Sequence, residues 1–166
     1  MNFTNILKKK KEKKALLLNK LWLKDNKKAF FVVYLDNKNI DSIFIDALKI
    51  LPWNFVIKTD KKIVLDAKNI ITTNNDIYDE WFDAIVSDGE EESIMKFLKM
   101  WVVPIVYKKH HISALLEEFN AQKVEWNAFI FENNQICDIY YAIIRYLENY
   151  KFPYDNKALV KNVLSL

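Results

Sequence analysis

Four groups of residues in this chain are of types that do chemistry: the adjacent pair His110-His111, the single Cys137, the acidic run Glu90-Glu91-Glu92, and the lysine-rich stretch from Lys8 to Lys14. Neighbouring histidines raise metal binding or proton shuttling. Adjacent residues on a helix or strand point apart, however, so the pair cannot chelate one ion unaided and reads as loop histidines. Cys137 lies among apolar residues at helical spacing and reads as packing filler rather than a nucleophile. Being alone, it excludes an internal disulfide, and zinc sites of the Cys/His type fall with it. The three acids open a predicted helix, where the positive end of the dipole favours them. No G-x-G-x-x-G and no P-loop is present; with Gly89 as the single glycine, neither can be written. Spacing alone therefore nominates no metal ligand and no catalytic residue.

The elements that must position such groups come from 166 residues, the size of one domain. Hydrophobic residues make up 51% and charged residues 28%, enough apolar chain for a packed core. No apolar run approaches the roughly 18–20 residues of a membrane span, and the start lacks an apolar stretch with a small-residue cleavage site. With the lone cysteine, this gives the expectation of a cytoplasmic protein. The net charge of +3 is unevenly spread: residues 1–28 hold ten lysines against Glu12 and Asp25, and the remainder is net acidic. The lysine stretch could touch phosphates or an anionic surface. Two features argue against a nucleic-acid partner. No aromatics interleave with the lysines as a single-strand binder wants, and Arg145 as the only arginine, with abundant Asn and Ile, points to AT-rich codons. Residues 1–28 read as a basic linker and an opening helix over 15–23, and residues 29–166 as a single domain.

From Ala29 onward short apolar runs alternate with amphipathic stretches. Residues 29–35 form a continuous β-branched and aromatic run, as a strand buried on both faces requires. Residues 41–51 have helical spacing, closed by Pro52. Strands are expected at 54–58 and 82–87, with weaker candidates at 62–65 and 69–72. A short strand at 102–106 contains Pro104, which belongs near a strand end. Helices are expected at 91–100, 112–119, 136–150 and 156–164, and an extended segment at 128–131. This alternation predicts a Rossmann-like α/β domain, its mostly parallel sheet covered by helices on both faces.

In order and spacing these segments resemble the C-terminal half of bacterial glycogen/starch synthases, glycosyltransferases of the two-domain GT-B fold. Lys13-Lys14-Ala15-Leu16 through Leu21-Trp22-Leu23 resembles that family's NKxALQxxLGL helix. FVVYLDNKNID, from Phe31, resembles FVGRLxxQKGID. The stretch from Phe82 to Val106 resembles ADAxLxPSxxEPxGLxxLEAMxxGxVPIV, and the one from Asn127 to Asn162 resembles GFLFxxxxxxxLxxAIxRALxxY and its continuation. The resemblance covers nearly the whole chain.

It implies a nucleotide-glucose donor such as ADP-glucose, no resident cofactor, and a glucan acceptor. It also implies a cleft shared with a separate N-terminal GT-B domain. In the family an Arg and a Lys neutralise the diphosphate leaving group. Lys38 matches the Lys, whereas the Arg position falls at Val33 or Tyr34. Two carboxylates separated by seven residues hold the donor sugar and ribose; their places fall at Asp88 and Lys96. The Pro and Gly after the first carboxylate become Gly89 and Glu91, and the Thr-Gly-Gly donor loop becomes Lys109-His110-His111. The resemblance thus implies Lys38 and Asp88 as donor-binding residues, with no catalytic residue carried over intact.

Average usage predicts roughly twelve glycines in such a chain; there is one, beside five tryptophans. Trp22, Trp101 and Trp126 fall at or beside glycine positions of the family patterns, and Trp53 and Trp81 fall at turns or strand starts where glycine is natural. One reading is that these codons are UGA, which some bacterial lineages translate as glycine. The other is five genuine tryptophans packing as turn aromatics. Three functional readings stand together: a donor-side glycosyltransferase domain impaired on its own, a non-catalytic binding module on the same scaffold, and a basic-arm nucleic-acid binder.

Overall fold

The computed structural model describes residues 3–23, 29–35, 37–63, 65–75, 82–89, 91–120, 122–123 and 125–166. Six strands form one sheet: β1 (Phe30–Tyr34), β2 (Asn54–Lys58), β3 (Ile70–Thr73), β4 (Ala84–Ser87), β5 (Val103–Tyr107) and β6 (Phe129–Phe131). Their order is β3-β2-β1-β4-β5-β6, and every pairing is parallel. Among the described residues five α-helices cover it: α1 (Phe3–Lys20), α2 (Ser42–Lys49), α3 (Glu91–Leu98), α4 (Ile136–Tyr150) and α5 (Pro153–Val163). The Rossmann-like α/β architecture is present, with a sheet parallel throughout. Among the described residues no helix is long and apolar enough to cross a membrane.

The period-2 alternation of β1 explains why the sheet is covered on both sides. Phe31 and Val33 point into a core shared with Phe44, Leu48, Ile139, Ile143 and Tyr146. Phe30 and Val32 point the other way, into a core with Leu18, Phe82, Ile85 and Phe97. Asp41 caps α2, its carboxylate accepting the Phe44 N–H at 2.8 Å. Pro153 opens α5, three residues earlier than expected, where its missing N–H costs nothing.

Three expectations need correction. Residues 62–65 form no strand in the part described. Residues 112–119 are not an α-helix but a 3-10 turn, His111–Leu115, followed by extended chain. The lysine stretch is not a solvated linker: α1 begins at Phe3 and buries Ile6, Lys10, Lys14 and Leu18 along one stripe. The four-residue spacing of that stripe is helical, and two of its members are ammonium groups with dedicated acceptors. Lys10 Nζ donates to the Trp101 carbonyl at 2.7 Å. Lys14 Nζ donates to Asp83 Oδ2 at 2.5 Å, and the same oxygen accepts the Phe30 N–H at 2.8 Å. Because Lys10 and Lys14 are turned inward, the basic stretch offers less charge to nucleic acid than its sequence suggests.

Burial pushes the Lys14 ammonium toward deprotonation, but Asp83 and Tyr150 together outweigh it and hold its pKa above the usual value. A raised folded-state pKa means this stabilisation is complete below the ordinary lysine value of 10.5 and disappears as pH rises through the folded value. Lys14→Ala is therefore expected to cost about 3 kcal/mol in urea unfolding at neutral pH, because it strands the Asp83 carboxylate. The difference from the parent should shrink on titration into strongly alkaline buffer.

Candidate functional site

The winding of the sheet reverses between β1 and β4. In open α/β sheets ligands bind at such a reversal, outside the carboxyl ends of the strands. Both residues expected to meet a donor lie there. Lys38 is exposed on the 3-10 turn Asn37–Asn39 that follows β1. Asp88 is half-buried directly after β4. Tyr34 registers with Ser87 across the two strands, so the loops carrying Lys38 and Asp88 leave the sheet side by side.

Sequence reasoning missed what joins them. Asn39 is buried, and its Nδ2 donates to Asp88 Oδ2 at 2.6 Å and to Asn134 Oδ1 at 2.8 Å. Asn134 lies in the turn leading into α4, so one amide ties together the loops after β1, β4 and β6. Nothing in residue type or spacing marks Asn39 for this role. Ser87, also buried, accepts the Gly89 N–H at 3.2 Å. Two further cations reach this end of the sheet from β2 and the loop after it. The Lys58 ammonium sits 6.0 Å from the Tyr34 ring centre, and Lys61 Nζ donates to the Ile40 carbonyl at 2.9 Å.

Other positions singled out in the sequence are occupied by local structure. Lys96 pairs with Glu92 one turn earlier on α3 at 2.9 Å. That hydrogen bond holds the Glu92 carboxyl below its usual range. His110 Nδ1 accepts the Ile112 N–H at 3.4 Å and caps the 3-10 turn, while His111 is exposed. Val33, one alternative for the family's arginine position, is buried in the core, and Tyr34, the other, is half-buried. Cys137 is exposed on α4 rather than packed as filler. Glu90 and Trp81 lie outside the described residues. Among the described residues no group of three or more His, Cys, Asp or Glu side chains could hold a metal.

A groove of about 860 Å³ lies at the β6 margin, bordered by Tyr141, Arg145, Asp138 and Lys108. Its polar groups answer one another. Lys108 pairs with Glu132 at 2.8 Å, Asn133 donates to Asp138 at 2.8 Å, and Arg145 pairs with Glu118. Glu118 Oε2 also accepts the Ile130 N–H at 2.5 Å, and Phe119 N–H donates to the Ala128 carbonyl at 2.8 Å. Burial, joined by the nearby Glu132 charge, raises the Glu118 carboxyl pKa despite the opposing pull of Arg145 and the Ile130 N–H. This groove is a covered sheet margin, and the rim at β1 and β4 remains the candidate site.

No protein-family model matches the chain, and no curated protein matches it in sequence. Solved structures do match in shape. The catalytic domain of starch synthase IV from Arabidopsis thaliana, bound to ADP and acarbose, superposes with a TM-score of 0.71 at 17% identity. That match covers 95% of this chain and 39% of the other. The glycotransferase of kitacinnamycin superposes with a TM-score of 0.51 at 14% identity, covering 83% of this chain and 40% of that one. The chain shares its fold with part of each of these two structures. The chain spans about two-fifths of the length of each of these structures.

Asn39→Leu should lower stability by about 1–3 kcal/mol, because Asp88 and Asn134 lose their shared donor inside the fold. Urea unfolding of the variant beside the parent measures this.

Proposed function

We propose that this chain is the donor-side domain of a glycogen/starch synthase-like glycosyltransferase, meeting a nucleotide-glucose such as ADP-glucose at the carboxyl ends of β1 and β4. The observation that carries the reading is the pairing of Lys38 and Asp88 on adjacent loops at the reversal point of the sheet. Likeness in fold to a starch synthase catalytic domain supports it. In this role Lys38 faces the donor phosphates, with Lys58 and Lys61 adding positive potential at the same end of the sheet. Asp88 accepts hydrogen bonds from sugar hydroxyls, and Asn39 orients its carboxylate. No metal or cofactor is needed for this binding.

Sugar transfer in this reading needs a second, N-terminal GT-B domain to complete the cleft and present a glucan acceptor. The chain alone is catalytically impaired, since Lys96 puts a cation, already paired with Glu92, where the resemblance implies a carboxylate. The work is placed in the cytoplasm, where nucleotide sugars are made.

A second reading, a non-catalytic binding module, is favoured by one observation: the Asp88 carboxylate already accepts the Asn39 amide. Calorimetry with ADP-glucose separates the two. The donor-domain reading expects binding at millimolar affinity or tighter, weakened about tenfold (about 1.4 kcal/mol) by Lys38→Ala and weakened also by Asp88→Ala. Absence of heat with ADP-glucose and with ADP leaves the module reading standing. Transfer from ADP-glucose to glucan by the purified chain at the rate of an intact synthase would overturn the claim of impairment.

A further inference from the structure

Among the described residues two non-glycine residues have positive φ, Trp22 at 58° and Trp101 at 61°. Both follow a helix end, and both carry the same pair of closing hydrogen bonds. After α1, the Trp22 N–H donates to the Asn19 carbonyl at 3.1 Å and the Leu23 N–H to the Leu18 carbonyl at 2.8 Å. After α3, the Trp101 N–H donates to the Leu98 carbonyl at 2.9 Å and the Val102 N–H to the Phe97 carbonyl at 3.1 Å. This is the Schellman termination, whose left-handed residue is usually glycine. A β-carbon in that conformation crowds the following carbonyl oxygen, and a bulky residue there is an outlier.

The Trp22 indole offers no compensating reason to be there. The Trp22 side chain is 94% exposed, so it recovers no burial. The Trp101 indole is half-buried against the main core, while its backbone carbonyl, which accepts Lys10, is one that any residue supplies. The one glycine of the chain is placed the other way round. Gly89 has no positive φ, and a β-carbon added there meets only Ser87 Oγ, at 4.0 Å. The glycine thus sits where backbone freedom is not needed, and two tryptophans sit where it is. Trp53 and Trp126 have ordinary φ, so the backbone makes no such demand at those positions.

We infer that codons 22 and 101 are UGA read as glycine in the cell that makes this protein, so that its natural chain carries glycine at both helix ends. This stands apart from the proposed activity, because neither position belongs to the rim at β1 and β4. It accounts for the two left-handed residues and for part of the glycine shortage and the tryptophan surplus.

The test begins with the gene and the protein from its own cells. UGA at both codons, with tryptic peptides 21–24 and 100–108 each lighter by the difference between a tryptophan and a glycine residue, is the expected result. Translation of the natural gene where UGA is a stop signal should then end after Leu21. UGG at either codon, or a native peptide carrying the tryptophan mass, overturns the inference. A second measurement tests its conformational ground on recombinant chains carrying tryptophan. Trp22→Gly should raise Tm by about 3 °C, whereas Trp22→Ala, which removes the indole and keeps the β-carbon, should not. Equal melting of the Gly and Ala variants would remove the structural argument.

Discussion

The Asp83 carboxylate stands at the amino ends of the two central strands and takes both the Phe30 N–H and the Lys14 ammonium. A carboxylate in so enclosed a place needs a compensating charge, and the closest source is a helix that sequence polarity alone would assign to solvent. Much of the architecture follows from satisfying it. α1 must lie across the amino ends of β1 and β4, Leu18 is thereby driven into the second core, and Lys10 reaches the Trp101 carbonyl just past the end of α3. The N-terminal stretch is bound into the domain by a few strong polar contacts together with Ile6 and Leu18. Such contacts fix orientation more sharply than apolar packing, because each ammonium has one acceptor position that suits it.

At the opposite ends of the same strands the polar chemistry serves a different purpose. Asn39, Asp88 and Asn134 gather three loops without neutralising the surroundings, and Lys38, Lys58 and Lys61 are ranged around that end of the sheet. The sheet therefore separates a closed ionic joint at one end from an arrangement at the other that can face an anionic ligand. The solved structures that share its shape are more than twice as long, and the proposed chemistry needs surfaces that this chain does not supply by itself.

What was legible in the sequence is what repeats. β1 is legible because seven consecutive apolar residues at 29–35 leave no polar face, and α4 because its apolar stripe runs unbroken from Ile139 to Leu147. Lys38 and Asp88 were placed by family resemblance and fall on adjoining loops. The illegible parts involve polar side chains with unusual partners. Lys10 and Lys14 look like surface residues until Trp101 and Asp83 are in place. Residues 112–119 have helical spacing, yet the end of that stretch is spent on the β6 margin, where Glu118 and Phe119 satisfy backbone groups. Asn39 resembles any loop asparagine. The two left-handed residues lay in between: composition hinted at them, and only backbone angles singled out Trp22 and Trp101 from the other tryptophans.

The treatment of β6 by Glu118 and Phe119 reaches beyond one chain. A strand arriving from a second copy at that margin would find the Ala128 carbonyl and the Ile130 amide already engaged. β3, at the other margin, is half-exposed over Ile71, Thr72 and Thr73. The β6 margin is thus blunted against strand addition by side chain and backbone of its own chain rather than left as an open template.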